Sequence, residues 1–474
     1  MLLWLVIAYL AVSVTIGLYA ATRVRNSRDY ITAGRSLPFV FVIAMVFATW
    51  FGAETVLGIS ATFLDEGFRG LISDPLGASL CLVLFGLIFA RPLYRMNLLT
   101  LGDFFRVRYN RETEVILSLA IIVSYLGWVG AQMAALGLVF NVLSDGLVTI
   151  EQGVFIGAGV VLVYTLFGGM WSVALTTFVQ MIVIILGLLY VTWIAGDMAG
   201  GFDSVIAKAS AEGKFAFLPT ADSLDILAWV AALLTMALGS IPQQDVFQRV
   251  NASRNERIAV WATTLGGAGY FFFAAVPLFL AYSATLIDPA MVEHFMQQDS
   301  QLILPHLITG YMPFVAQVIF FGALISVIMS TASGTLLAPS VTFSENILRG
   351  YWTNMSDRQL LLATRLAVCG FCVLVAFYAV SSGATIHHMV ESAYRITLAG
   401  AFVPLVAGLF WKRANNLGAF LAISLGIGVW LYLELFVPEG DIEPQLYGLF
   451  ASALGMLVGG FVGRPAHHQY AGAR

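Results

Sequence analysis

Residues 46–58 read VFATWFGAETVLG, within an apolar stretch that begins near Pro38 and ends near Phe63. A helix that crosses a bilayer needs about 20 apolar residues, and this stretch is long enough to do so. Yet it sets Gly52 and Glu54 at mid-depth. Glycine weakens a helix by about 1 kcal/mol relative to alanine, and a charge at the bilayer centre costs about 2.5 kcal/mol or more. A span that accepts both is expected to be interrupted there, with a use for the interruption.

The whole chain has the matching composition. Of its 474 residues 59% are hydrophobic and only 11% charged, where a soluble domain carries about 25% charged residues. This predicts an all-α polytopic membrane protein. The net charge of −4 and the lack of a basic tract give nucleic acid no place as a partner. The expected partners are the lipid bilayer and a small-molecule solute, with no obligate protein partner. Cys81, Cys369 and Cys372 all fall in apolar segments. The CxxC formed by the last two cannot complete a zinc site with two thiols, so it reads as structural. The opening MLLWLVIAYLAVSVTIGLYA lacks a basic leader and a small-residue cleavage site, and its positive charges (Arg23, Arg25, Arg28) follow it. It reads as a retained first span with its N-terminus outside.

Hydropathy predicts thirteen spans, at about 2–21, 38–63, 67–90, 114–143, 152–167, 171–195, 225–248, 258–286, 312–344, 360–380, 385–411, 417–437 and 445–463. With the N-terminus outside, the cytoplasmic segments hold Arg23 to Arg35, Arg91 to Arg111, Arg249 to Arg257, Arg349, Arg358, Lys412, Arg413 and Arg464. The outer segments hold only Arg69, Lys208 and Lys214, an asymmetry that fits the positive-inside rule. The C-terminus is then cytoplasmic, in a cell membrane, and no soluble signalling domain is expected.

A second interruption lies in span seven, GSIPQQD (239–245), where Pro242 removes a backbone donor. Spans two and seven each open a group of five. Two interrupted helices at corresponding positions point to an inverted-repeat transporter with its site at the midplane. Span nine adds SVIMSTASGT (326–335). On a helix the Val327 carbonyl and the Ser330 and Thr331 hydroxyls share a face, and such oxygens suit a hard cation. The alternative is that both hydroxyls bond back to their own helix. Further oxygens would come from the broken turn of span two, near Ala48 and Phe51.

AGRSLP (33–38), ATWFGAE (48–54), YTLFGGMWSVALTTFVQ (164–180), IPQQDVFQRV (241–250), IMSTASGTLLAPS (328–340) and GLFWKRANNLGA (408–419) carry a resemblance. From about Tyr30 to Leu425 the chain resembles the sodium:solute symporter family, whose members include proline, glucose and choline transporters. The resemblance implies a LeuT-type fold: two inverted five-helix repeats, one extra N-terminal helix and two extra C-terminal helices. It puts the first repeat in 37–195, the second in 225–411, and peripheral helices in 1–36 and 412–474. The family's common sodium site carries over to Ala48, Phe51, Val327, Ser330 and Thr331. A second site in some members uses an aspartate in span six. Here Thr177 stands in its place and Ser333 is followed by Gly334, so one Na+ per cycle is expected.

The substrate pocket is expected among Trp50, Glu54 and Thr55 of span two, Asp74, Trp128, and Gln243 and Gln244 of span seven. Trp50 and Trp128 resemble cage aromatics of the choline branch, which hold a quaternary ammonium by cation–π attraction. Gln243 replaces a further Trp and Ala78 a Tyr, which favours an amino acid or betaine-like solute over choline or a sugar. Other readings stay open: Trp128 as packing, Glu54 as a partner for freed backbone, Asp74 as a cap near the outer surface. Arg395 could pair with Glu391 one turn back or receive a substrate carboxylate, and His387 and His388 read as interfacial. No nucleophile–base set, metal cluster or phosphate loop marks an enzyme. The alternative to transport is a sensor that keeps the symporter fold.

Overall fold

In this computed structural model residues 1–383, 386–437 and 443–463 are described, without the side chains of His387, Glu391 and Ser392. The Arg395–Glu391 pair, the setting of His387 and the charge of Arg464 fall outside that description. In chain order the apolar helices are α1 (Leu2–Ala21), α2 (Phe39–Trp50), α3 (Glu54–Arg95), α4 (Arg111–Leu143), α5 (Ile150–Met198) and α6 (Ser223–Gly239). They continue with α7 (Gln244–Asn251), α8 (Glu256–Ile287), α9 (Phe314–Tyr351), α10 (Asp357–Ser381), α11 (His388–Phe410), α12 (Asn416–Phe436) and α13 (Pro444–Val462). Many begin on polar side chains that satisfy first-turn N–H groups. Asn110 accepts from Thr113 N at 2.9 Å before α4, and Asn255 accepts from Ile258 N at 3.0 Å before α8. Thr149 with Gln152, and Ser356 with Gln359, form reciprocal capping boxes before α5 and α10.

Among the described residues ten of these helices are long and apolar enough to cross a membrane, or eleven if α6 and α7, bent by 45°, form one span. The expected thirteen spans differ from that count for local reasons. α2 has 12 residues and completes a span only with the first turns of α3. α3 bends where Gly67 takes φ 68, so it also contains the expected third span. α5 runs for 49 residues, about 70 Å if straight, more than twice a hydrocarbon core. It turns at Gly169 (φ 50, ψ −135). Only glycine fits there, because a Cβ would sit 2.4 Å from the Tyr30 carbonyl oxygen.

Burial separates centre from edge. In its most apolar window α9 is 72% buried, against 22% for α1 and for α12. α9 packs against α2, α4, α5 and α7, while α1 lies on α5 and α12 and α13 pair beside α11. A short parallel pairing ties the two broken regions: Leu37 N donates to Ala252 O (3.0 Å) and Arg254 N to Leu37 O (2.9 Å). The start of α2 therefore meets the end of α7. Arg35 donates to Tyr94 O at 2.8 Å, Arg95 pairs with Glu256 at 2.8 Å, and Arg111 donates to Ile347 O at 3.3 Å. These contacts gather one arginine-rich end of the bundle.

Candidate functional site

The break between α2 and α3 is built from its backbone. Phe51 leaves the helix at φ −70, ψ 77, and Gly52 N turns back to Trp50 O at 2.7 Å. Two neighbours hold the opened turn. Gln132 of α4 accepts from Ala53 N at 3.0 Å, replacing a lost intrahelical bond. On the other side Thr331 Oγ1 donates to Ala48 O (3.0 Å) and Phe51 O (3.2 Å). Ser330 Oγ, beside it on α9, donates to Val327 O at 2.8 Å. The structure thus joins Thr331 to Ala48 and Phe51 across two helices, while Ser330, the next residue on α9, bonds back to Val327 of its own helix, as the alternative reading of these hydroxyls had it. All five groups offer uncharged oxygen, the donor set of a hard, weakly charged cation. The space is also sized by glycine, since a Cβ at Gly52 would lie 3.1 Å from both Thr331 Oγ1 and Gln132 Oε1.

Trp50, the last residue of α2, stacks on Trp128 of α4 with centroids 4.6 Å apart and planes at 10°. Tyr394 presents its edge to both rings, at 5.3 and 5.5 Å. Tyr125 lies parallel to Trp128 at 6.2 Å and donates to Asp245 Oδ1 at 2.6 Å. One face of Trp50 is therefore covered by Trp128, and a cationic group would use the other face or part the pair. Gln243 reaches α4 and α11 together: its Nε2 lies 3.1 Å from Ser124 Oγ and 3.4 Å from Thr397 Oγ1. Those partners stand one turn from Trp128 and Tyr394, so Gln243 borders the aromatic group.

Thr55 and Asp74 converge through Tyr270. The Thr55 hydroxyl lies 3.2 Å from the Tyr270 hydroxyl, which itself bonds Asp74 Oδ1. Asp74 is buried at an interruption of α3, with extended backbone (φ −137, ψ 124) just before Pro75. The Glu54 carboxylate folds over Gly58, where an added Cβ would meet its Oε2 at 2.6 Å. Just beyond, Gly58, Thr62, Asp65, Glu66, Asp299 and Gln301 line a cavity of about 470 Å³. Gln244 is not brought to the aromatic group: its Oε1 accepts from Leu101 N at 2.8 Å, in the short helix Leu101–Arg108. Arg395 bonds Glu434 at 2.9 Å, which turns it toward α12.

Sequence reading missed Gln132, Tyr125, Asp245, Tyr270 and Tyr394. Tyr394 adjoins Arg395, which drew attention by its charge, and Asp245 ends the quoted GSIPQQD. Gln132 and Tyr270 carry no local signal, since only packing brings them to α2 and α3.

A sequence profile described as "SSF: Sodium:solute symporter family" matches residues 30–426. The human "High affinity choline transporter 1" is 27% identical over 465 residues, covering 94% of this chain and 77% of its own. "Osmoregulated proline transporter OpuE" of Bacillus subtilis is 25% identical, covering 98% and 95%. Among solved structures, the outward-open state of a Na+-coupled sialic acid symporter superposes with a TM-score of 0.85 at 17% identity, over 98% of each chain.

Proposed function

This chain belongs to the sodium:solute symporter family and shares its all-helical LeuT-type fold, and from that premise we propose how it couples ion to solute. As a sodium-coupled symporter it uses Ala48, Phe51, Val327, Ser330 and Thr331 as the ligands of one Na+. The observation that carries this is the Thr331 hydroxyl, within 3.2 Å of both carbonyls of the broken turn. A sodium ion among these oxygens would join α9 to the break and so order the end of α2, which carries Trp50. Solute then completes the site next to the Trp50, Trp128 and Tyr394 rings, with Gln243 as its hydrogen-bonding wall. If sodium tightens solute binding, solute tightens sodium binding by the same factor.

The solute class follows from the lining. Aromatic faces attract a positive nitrogen, and the cavity beyond Glu54 has Asp65, Glu66 and Asp299 in its wall with no Lys or Arg among the described residues. A small zwitterion or quaternary amine, in the range of the proline and choline carried by relatives, fits better than a sugar. The arginine-rich end is cytoplasmic, which leaves the N-terminus outside and the 470 Å³ cavity facing outward. Residues 37–195 and 225–411 act as the two inverted repeats, rocking about the fixed site.

Ser330→Ala and Thr331→Ala test the cation assignment. Each removes one oxygen ligand and should raise the sodium concentration for half-maximal uptake by about tenfold, the equivalent of 1.4 kcal/mol. The amount of folded protein should not change. Unaltered sodium dependence in both would reject the site.

A further inference from the structure

Among the buried charges outside the proposed sodium site, Arg249 touches both helices that build it. Arg249 sits on the last turn of α7 and is 1% exposed. Its Nη1 donates to Met45 O at 2.5 Å and to Thr49 Oγ1 at 2.6 Å, both on α2. Its Nη2 presses on α9, where a Cβ added to Gly334 would lie 2.0 Å away. Its Nε and Nη2 have no hydrogen-bond partner among the described residues. Asp245, one turn earlier on the same helix, supplies the nearby countercharge.

The placement relative to the five oxygens is specific. Met45 lies one turn before Ala48 on α2, and Gly334 one turn after Thr331 on α9. α2 starts and α9 ends at the arginine-rich end, so the guanidinium bridges the same two helices one turn closer to that end. A cation leaving the five oxygens in that direction would have to pass between α2 and α9, where Arg249 fills the gap. A fixed positive charge in a low-dielectric setting also repels the ion before contact.

We infer that Arg249 is the barrier on the cation's path to the cytoplasm. It is a positioning residue rather than a ligand, and it must release Met45 O and Thr49 Oγ1 before sodium can leave. Its two unpartnered nitrogens make that release easier than for a fully bonded guanidinium, because fewer bonds are broken. Glycine is required at position 334 because the barrier closes against bare backbone.

This inference rests on the sodium reading above. The test is radioactive sodium efflux from proteoliposomes holding the full-length chain, measured without solute. Arg249→Gln removes the charge, and Gly334→Ala displaces the guanidinium while keeping it. Both should raise solute-free efflux by about tenfold or more, as expected when a charge beside an ion path in low dielectric is removed or moved. The sodium midpoint of uptake should stay equal or fall, since no ligand oxygen is lost. Thermal unfolding of Gly334→Ala, which keeps every polar group, controls for folding. Wild-type efflux in both variants, with uptake still sodium-driven, would overturn the barrier and leave the sodium site standing. A wild-type chain whose uptake ignores sodium would instead remove the reading on which the barrier rests.

Discussion

Trp50 ends α2 with one ring face against Trp128 and its Nε1 buried without a partner among the described residues. Truncating it removes a cation–π face of about 0.5–2 kcal/mol and an aromatic pair of about 0.5–1.5 kcal/mol. Trp50→Ala should therefore raise the apparent solute constant by about one to two powers of ten. Gln243→Trp should shift preference toward quaternary amines by rebuilding an aromatic wall. The exchange is tolerable, because Ser124 keeps its bond to Ile121 O and Thr397 its bond to Gly239 O. Competition profiles at matched expression check both, and profiles identical to wild type would place the pocket elsewhere. At this scale the sequence was informative where chemistry is local. Thr331 meets the broken turn that the sequence pointed to, Ser330 bonds back to its own helix, and Gly52 and Glu54 mark the break by their cost in a span. Tyr270 and Tyr394 were silent, since a tyrosine in an apolar helix looks the same whether it packs or bonds.

The break between α2 and α3 works as an element because both of its flanks are held. α9 supplies Thr331, and α4 supplies Gln132, which accepts from Ala53 N at 3.0 Å. A buried N–H left without its acceptor costs about 1–3 kcal/mol. Gln132→Leu should lower the midpoint of thermal unfolding in detergent and weaken apparent sodium affinity, since Phe51 O loses its fixed direction. Gln132→Glu keeps an acceptor and should recover most of the sodium affinity. Equal losses in the two variants would show that Gln132 acts through packing alone. The interruptions themselves were legible from glycine, proline and charge at mid-span. The merging of spans within α3 and α5 was not, because a continuous helical run through a bent turn leaves no mark in hydropathy. Gly169 sat inside a quoted motif, but its close approach to Tyr30 is a tertiary fact.

Across the whole molecule, burial ranks the helices as their roles require. The most buried, α9, carries the hydroxyls, and the broken helices lean on it, while α1 and α12 lie at the edge. This division was legible as an all-helical membrane chain with paired interruptions. The neighbours of each helix came only from packing. The span-six position where the family resemblance implies an aspartate in some members here holds Thr177, whose hydroxyl is buried without a partner among the described residues. Without that carboxylate a second cation would lack a full countercharge, so a single sodium should drive each solute. The most direct measurement is the ratio of sodium to solute entering proteoliposomes that hold the purified full-length chain, with both species labelled and an inward sodium gradient imposed. The sodium-coupled account predicts one sodium for each solute, with the two fluxes collapsing together when the gradient is removed. Solute entry that continues unchanged without sodium would contradict it.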